Sequence, residues 1–347
     1  MEQGMNFDSA PEMDSEALTH FGPPSGRNTH DLIATIKDCA DKLENDNSAR
    51  GDLKILSRTL RELRYAFKVF APYRNRRKVT VFGSARTEPD APSYGQAVEF
   101  GREMAERDWM VITGAASGIM EAGHRGAGRE NSMGLNIMLP FEQSANEVIA
   151  GDEKLVHMKY FFTRKLMFVK ECDAIVCLPG GFGTLDEALE VLTLLQTGKH
   201  DMMPVVLLDE PGGSYWQDLH RFVVRHLLDG GMISEEDLSL YRVTNSCRVA
   251  VDEVMLFYKT YHSMRYIKNQ LVVRLNHWLS DQHLEELNGR FSDLLSSGVF
   301  RQCGALPAEQ DETDLASKAR LVFHFNRRNL GRFREMIDYI NVNAAPG

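Results

Sequence analysis

The chain has 347 residues, 43% of them hydrophobic and 26% charged, a balance typical of a globular protein with a substantial buried core. Its 40 lysines and arginines against 49 aspartates and glutamates give a net charge of −9, which argues against a general nucleic-acid-binding surface. The five cysteines are scattered without CxxC spacing, so we expect neither a disulfide framework nor a zinc site.

No targeting segment or membrane span is predicted. The first 29 residues are polar and lack the basic start and apolar stretch of a secretory signal. No run elsewhere approaches the roughly 20 apolar residues that cross a bilayer. The scattered cysteines also fit a reducing compartment. We therefore expect a cytoplasmic protein without a membrane partner.

The beginning of the chain divides into a tail and two helices. Residues 1–29 are rich in Pro, Gly, Ser and acidic residues, which predicts a disordered tail. Residues 30–75 carry apolar side chains at helical spacing, interrupted near 45–48. This spacing predicts an N-terminal extension of two amphipathic helices.

Between residues 76 and 262, short β-branched runs alternate with helical patterns. The predicted strands are 79–84, 109–114, 134–139, 174–179, 204–209 and 241–243. The predicted helices are 93–107, one from 118, 157–171, one after the turn at 179–184, and 214–228. Such alternation predicts an α/β domain with a doubly wound parallel sheet, and its ligands should lie beyond the carboxyl ends of the strands.

The pattern changes after residue 263. The runs LVVRLN, LEELNGRFSDLL, RLVFHFN and GRFREMIDYI predict a strand, a helix, a strand and a helix in that order. We therefore assign residues 263–347 to a small C-terminal α+β extension.

Glycine-bearing turns follow three of the predicted strands. They are Gly83-Ser84-Ala85-Arg86, the run from Gly114 to Glu121, and Pro179-Gly180-Gly181-Phe182-Gly183-Thr184. The third turn opens a long helix, whose unpaired N–H groups and positive dipole end can bind an anion. It is neither a Walker loop nor a convincing GxGxxG dinucleotide fingerprint.

The third turn has two possible readings. Gly180, Gly181 and Gly183 would let a phosphate approach the backbone without a Cβ in the way. Thr184 would then cap the helix or donate its hydroxyl to the phosphate. Alternatively, the glycines only make a tight strand-to-helix turn.

Charged side chains flank this turn. Glu187 lies one helical turn beyond Gly183, and a carboxylate near a ribose suits glycosidic chemistry because its transition state is positively charged. Compensation of the helix dipole is the alternative role. Arg164 and Lys165 interrupt an apolar stretch. They either bind a phosphate or sugar oxygen, or form a surface pair whose aliphatic chains lie along the protein while their charges reach solvent. The histidines share no spacing and are interpreted as structural.

Together these motifs resemble the LONELY GUY family of phosphoribohydrolases, whose signature is PGGxGTxxE. The stretch 179–187 matches that signature completely. The family's Arg-Lys element resembles Arg164-Lys165, with Phe161 and Phe162 in place of the usual Met and His. Its second Gly-rich turn resembles 114–121, with alanines at two positions where glycines are common. The resemblance covers about residues 76–262, and the flanks are similar to those of longer bacterial members.

This resemblance implies a Rossmann-like domain that hydrolyses the N-glycosidic bond of a nucleoside 5′-monophosphate, such as AMP or a cytokinin riboside monophosphate, without a cofactor. Arg164 and Glu187 would carry catalysis. The implied substrate-binding residues are Gly83, Ser84, Gly114, Gly118, Glu121, Glu142, Lys165, Gly180, Gly181, Phe182, Gly183, Thr184 and Thr193. A homodimer or larger homo-oligomer is also implied.

Other functions are compatible with the fold. A noncatalytic nucleotide- or cofactor-binding regulator or carrier is the main alternative, although the presence of both Arg164 and Glu187 favours the enzyme. An oligomeric scaffold built from the helical flanks would leave the three turns unexplained. Lysine decarboxylation, a historical label for such sequences, would need pyridoxal phosphate on a Schiff-base lysine, and nothing marks such a lysine.

Overall fold

The structure is a computed structural model that describes residues 29–138 and 145–343. Its helices are α1 (His30–Lys42), α2 (Arg50–Phe70), α3 (Pro92–Glu106), α4 (Ile119–Ala127), α5 (Phe161–Lys170), α6 (Phe182–Gln196), α7 (Tyr215–Phe222), α8 (Cys247–Phe257), α9 (Asp281–Arg290) and α10 (Leu330–Asn343). Its strands are β1 (Lys78–Phe82), β2 (Met110–Thr113), β3 (Ser132–Ile137), β4 (Leu155–Met158), β5 (Ala174–Cys177), β6 (Val205–Leu208), β7 (Arg242–Thr244), β8 (Tyr261–Ile267), β9 (Gln270–Leu275), β10 (Leu295–Cys303) and β11 (Ala319–Phe325). The predicted tail lies outside the described residues except for Thr29.

The main sheet has seven parallel strands in the order β4-β3-β2-β1-β5-β6-β7. Every residue of β1, β2, β5 and β6 is buried, as expected for parallel strands covered on both faces. Apolar side chains of α3, α4 and α8 pack on one face, and those of α2, α5 and α6 pack on the other. The predicted doubly wound, Rossmann-like α/β fold is confirmed.

The strand order reverses between β1 and β5. From β1 the chain builds outward through β2, β3 and β4, and it then returns to place β5 on the other side of β1. Val81 of β1 lies opposite Val176 of β5, so their carboxyl ends are adjacent. Open α/β sheets bind ligands in the crevice at this kind of reversal.

The helix predicted over 157–171 was wrong in its first part. Leu155–Met158 forms the edge strand β4 beside β3, and α5 begins only at Phe161. In β4, His157 is exposed between the buried Val156 and Met158. A strand of four residues is too short for this alternation to be distinguished from a helical pattern in the sequence.

A second sheet contains four antiparallel strands in the order β10-β11-β9-β8, and apolar residues of α9 and α10 belong to its core. This is the small α+β extension, which is confirmed together with the N-terminal helices. The sequence prediction omitted β8 and β10, because both strands carry many polar residues and β10 is irregular and largely exposed. The numerical domain boundaries remain predictions. None of the helices in the described ranges is long and apolar enough to span a membrane.

Candidate active site

A cavity of about 780 Å³ opens at the adjacent carboxyl ends of β1 and β5. This volume is in the range of small-molecule sites. The predicted site residues that line it are Gly83, Ser84, Arg164, Gly180, Gly181, Phe182, Gly183, Thr184 and Glu187. Arg86, Met120, Phe161 and Asp186 also line it, and the sequence prediction did not include these four as site residues.

Backbone hydrogen bonds join the three glycine-bearing turns. Ser84 N–H in the first turn donates to Pro179 C=O in the third, at 3.2 Å. The N–H of Ile119, which lies in the second of these runs, donates to Ser84 C=O at 3.0 Å. The turns that were predicted from separate stretches therefore form one wall of the cavity.

The glycines of the third turn serve different purposes. A Cβ on Gly181 or Gly183 would meet nothing within 4 Å, so the backbone at these positions is open to a ligand. A Cβ on Gly180 would lie 2.2 Å from Oγ1 of Thr184, so this glycine makes room for a protein side chain. Gly181 is the N-cap of α6, and no side chain caps this helix. The helix end thus presents bare N–H groups beside an open backbone.

Arg164 reaches the cavity from α5. Its Nε donates to Leu135 C=O at 2.8 Å, and its guanidinium lies 5.0 Å from the ring centroid of Phe168. Burial lowers the pKa of Arg164, and the nearby Glu187 carboxylate partly offsets this effect. An arginine stays protonated under such conditions, so a fixed positive charge lines the cavity.

Glu187 reaches the cavity from the second turn of α6. Its side chain is 10% exposed, and its Oε2 is buried without a hydrogen-bond partner among the described residues. Burial raises the pKa of Glu187 to about 7, against the opposing effects of Lys165 and Arg164. A carboxyl group that titrates near neutral pH is suited to proton transfer.

Lys165 binds acidic side chains of α6 and does not line the cavity. Its Nζ lies 2.6 Å from Glu190 Oε2, 2.9 Å from Asp186 Oδ2 and 3.7 Å from Glu187 Oε2. Burial lowers the pKa of Lys165, but the hydrogen bonds to Glu190 and Asp186 outweigh it and the pKa is raised. This ammonium group therefore balances the carboxylates around Glu187.

Four other predicted ligand contacts do not line the cavity of the single chain. Gly118 has φ +66°, and a Cβ there would lie 2.3 Å from Ser84 C=O, so it permits the close approach of two turns. Glu121 pairs with Arg125 on the same helix at 2.7 Å. Thr193 is exposed and donates its hydroxyl to Leu189 C=O at 2.8 Å. The fourth, Gly114, accommodates Arg164, since a Cβ there would meet its guanidinium. Glu142 lies outside the described residues.

A buried polar network supports the second turn. His124 Nε2 lies 3.0 Å from Met133 C=O and 3.1 Å from Thr113 Oγ1, while Asn146 Nδ2 lies 3.2 Å from His124 Nδ1. Asn146 also donates to Ala116 C=O at 3.1 Å. Burial lowers the pKa of His124 to about 4, so the ring is neutral at physiological pH. Sequence spacing gave no signal for this network, because its members come from separate elements.

The described residues contain no group of three or more His, Cys, Asp or Glu side chains arranged to hold a metal ion. The charged groups at the cavity are instead carboxylates, arginines and a helix N-terminus. This set can bind a phosphorylated sugar and stabilise a positively charged transition state.

The chain matches a protein family described as "Possible lysine decarboxylase" over residues 113–254. It is 31% identical over 159 residues to the cytokinin riboside 5′-monophosphate phosphoribohydrolase LOG3 of Arabidopsis thaliana, covering 44% of this chain and 71% of that one. It is 34% identical over 149 residues to LOG7 of the same plant, covering 41% and 65%. LOGL2 of Oryza sativa subsp. japonica, a probable cytokinin riboside 5′-monophosphate phosphoribohydrolase, is 32% identical over 159 residues, covering 44% of this chain and 62% of that one.

Solved structures that are similar to part of the chain include a molybdenum cofactor binding protein from Rippkaea orientalis, 19% identical, with a TM-score of 0.37 over 51% of this chain and 94% of that one. DNA processing protein A from Helicobacter pylori is 15% identical, with a TM-score of 0.37 over 52% and 80%. Likeness at this level carries no argument about this chain. The sequence relatives do identify the family: the chain belongs to the LONELY GUY family, in which the relatives named above are cytokinin riboside 5′-monophosphate phosphoribohydrolases.

Proposed function

We propose that the protein hydrolyses the N-glycosidic bond of a purine nucleoside 5′-monophosphate, such as AMP or a cytokinin riboside monophosphate. The products are the free base and ribose 5-phosphate. The observation that carries the proposal is that Arg164 and the buried carboxyl of Glu187 line one cavity beside the bare N-terminus of α6. The names of the curated relatives support the same reaction class.

The 5′-phosphate binds at the N-terminus of α6. Gly181 and Gly183 leave the backbone open there, and the helix supplies N–H donors and a partial positive charge. Binding energy gained at this phosphate, which does not react, holds the ribose in place for the chemical step.

Glu187 acts in its ionised form on the ribose. Its charge stabilises the oxocarbenium-like transition state as the bond between C1′ and the base nitrogen breaks. The same carboxylate takes a proton from the water that attacks C1′, and the departing base gains a proton from solvent. An acid that served only to balance the helix dipole would have no need of a buried oxygen that accepts no hydrogen bond, such as Oε2 of Glu187.

Arg164 positions the substrate. Its Nε is committed to Leu135 C=O, which leaves the outer guanidinium nitrogens to bind a phosphate or ribose oxygen. Its positive charge near Glu187 also favours the ionised carboxyl, in opposition to burial. The two residues thus act on the same substrate from different helices.

Lysine decarboxylation is not supported by the cavity. That chemistry needs a lysine whose amine can form a Schiff base with pyridoxal phosphate. No lysine lines the described part of the cavity, and the ammonium of Lys165 is bound to carboxylates of α6.

The test is incubation of the purified full chain with AMP, GMP, CMP, UMP and adenosine, with free base resolved by chromatography. We expect base release from a monophosphate and none from adenosine, and loss of release in Glu187→Gln and Arg164→Ala. Tight AMP binding without base release would favour a carrier or regulator instead. Full turnover by either variant would disprove the assigned roles. The homo-oligomeric state remains a prediction that sedimentation velocity can check.

A further inference from the structure

The side chain of Tyr215, the first residue of α7, contacts the glycine-rich turn that opens α6. Its hydroxyl donates a hydrogen bond of 2.7 Å to the carbonyl of Gly180. Gly180 lines the active-site cavity, whereas Tyr215 is not among the described residues of its lining. A tyrosine on one helix therefore holds, from outside the cavity, the backbone that leads into another helix.

Tyr215 is itself fixed by the elements around it. Its ring meets that of Trp216 edge to face, with a centroid distance of 4.8 Å, and it packs against the main hydrophobic core. The buried carboxylate of Asp209, just after β6, accepts a hydrogen bond of 3.0 Å from the N–H of Trp216 and so anchors the first turn of α7. Because β6 pairs in parallel with β5, the tyrosine and the glycine-rich turn lie at the same edge of the sheet.

This hydrogen bond sets the orientation of the peptide between Gly180 and Gly181. In a trans peptide the C=O and the N–H point in opposite directions, and the described residues contain no cis peptide bond. Since the carbonyl of Gly180 is directed at Tyr215, the N–H of Gly181 is directed away from Tyr215. That N–H donates to no group among the described residues, and Gly181 lines the cavity. The donor is thus left for a ligand.

Two consecutive glycines would otherwise let this peptide turn over. Rotation of the peptide plane by about half a turn carries φ of Gly181 from −84° into the positive range, which glycine adopts without the penalty of a Cβ. The reversed peptide would present a carbonyl oxygen to the cavity in place of the N–H, and this oxygen repels a phosphate. The hydroxyl of Tyr215 opposes the reversal because it stabilises only the observed orientation.

We propose that Tyr215 is a positioning residue for the phosphate site: its hydroxyl keeps the N–H of Gly181 directed at the 5′-phosphate of the substrate. This inference rests on the proposed function, to which it adds a residue outside the cavity that determines phosphate affinity. Donation to the carbonyl also polarises the peptide, which strengthens its N–H as a donor. Because the phosphate does not react, the contact is equally strong before and during bond cleavage, so it acts on binding rather than on the chemical step.

Removal of the hydroxyl alone tests the proposal. Tyr215→Phe keeps the ring and its packing on Trp216. Isothermal titration of the full chain with ribose 5-phosphate should show an affinity about tenfold weaker than that of the unmodified chain, because one charge-assisted hydrogen bond is lost. In the Glu187→Gln background, which prevents turnover, AMP should lose affinity by a similar factor.

Steady-state kinetics separate positioning from a loss of folded protein. For base release from AMP, Tyr215→Phe should raise KM about tenfold and keep kcat within about twofold. A variant that only folded less completely would lose kcat and keep KM. Tyr258→Phe is the matched control, since the hydroxyl of Tyr258 donates to the carbonyl of Asp173 at 2.6 Å, before the opposite end of β5. It removes the same kind of hydrogen bond and should change neither affinity nor KM.

A second substitution tests whether reversal of the peptide is the cause. A Cβ at position 181 meets no atom within 4 Å and is compatible with the observed φ of −84°, but it disfavours positive φ. In a Gly181→Ala background, Tyr215→Phe should therefore weaken ribose 5-phosphate binding by less than about threefold. Comparing the two pairs of variants cancels any direct effect of the new methyl group on the ligand.

Three results would overturn the proposal: no binding of ribose 5-phosphate by the unmodified chain, unchanged affinity in Tyr215→Phe, or an equal loss in Tyr258→Phe. An undiminished effect of Tyr215→Phe in the Gly181→Ala background would refute peptide orientation as the cause. Failure of the proposed function gives a different result. In that case ribose 5-phosphate binds and responds to Tyr215→Phe as described, but the unmodified chain releases no base from AMP.

Discussion

Gly114 lies directly against the guanidinium of Arg164: a Cβ atom at position 114 would be 2.2 Å from Nη2 of Arg164. The turn that contains Gly114 follows β2, whereas Arg164 comes from α5. The glycine was predicted from the family resemblance to contact the substrate. In the structure its missing side chain makes room for the arginine that lines the cavity.

Gly114→Ala should therefore impair catalysis through Arg164. The added methyl group displaces the guanidinium, and a shift of about 1 Å at a positioning group can cost about a hundredfold in kcat. We expect a stability loss of about 1–3 kcal/mol from overpacking, measured by urea unfolding. Gly95→Ala on α3, where a Cβ meets nothing within 4 Å, is the control and should keep full activity. Unchanged kcat in Gly114→Ala would contradict this account.

The pH profile should report the ionisation of Glu187. Its raised pKa of about 7 means that the carboxylate required by the proposed mechanism forms only as the pH rises through this value. We expect kcat/KM for AMP to rise with pH between 6 and 8 with an apparent pKa near 7. A profile that was flat over this range would show that Glu187 is not titrating in the free enzyme.

Ionisation of Glu187 should also lower the free energy of unfolding. Because the pKa of Glu187 is raised from 4.5 to about 7 on folding, the contribution of this one group to stability is most favourable below pH 4.5 and is lost as the pH rises through 7. Glu187→Gln removes this loss and should be more stable than the original chain by about 2–3 kcal/mol at pH 8. Denaturant unfolding at pH 5 and pH 8 measures the difference, which should shrink at the lower pH. An equal difference at both pH values would exclude this cause.

Lys165→Met should shift the activity profile to higher pH. Removal of the ammonium deprives the Glu187 carboxylate of a compensating charge 3.7 Å away, so the pKa of Glu187 rises further. At pH 7 we expect kcat/KM to fall about tenfold, with recovery at higher pH as the carboxyl ionises. Lys170→Met on the same helix, where Lys170 pairs with Glu171 at 2.7 Å, should leave the profile unchanged. Loss of activity at every pH would instead mean that Lys165 binds the substrate.

His124 should make the fold sensitive to mild acid. Burial lowers the pKa of His124 from 6.5 to about 4. As the pH falls, this imidazole is therefore protonated in the unfolded chain at a higher pH than in the folded chain. The stability that depends on the neutral His124 ring is present above pH 6.5 and is lost as the pH falls towards 4. The loss in unfolding free energy is about 2 kcal/mol at pH 5. In His124→Gln the change in unfolding free energy between pH 7.5 and pH 5 should be smaller by that amount. The exposed His157→Gln is the control, and identical pH dependence in both variants would contradict the assignment.

The sequence alone determined the layered α/β fold and the position of the glycine-rich turn that opens α6. Both depend on local patterns in the sequence. These are apolar runs that alternate with amphipathic stretches, and closely spaced glycines between a strand and a helix. The LONELY GUY signature from Pro179 to Glu187 is likewise a continuous stretch, so it could be recognised without knowledge of the fold. The polar strands β8 and β10, and the very short β4, lack such a pattern and were missed.

Only the tertiary structure decided which partner each site residue meets. Gly114 accommodates Arg164, Lys165 neutralises acids of the next helix, and Phe161 faces the cavity although its neighbour Phe162 does not. These relationships join residues from different elements, whose separation is set by how the helices pack on the sheet. The raised pKa of Glu187 has the same origin, because it follows from burial, and burial is a property of the folded molecule.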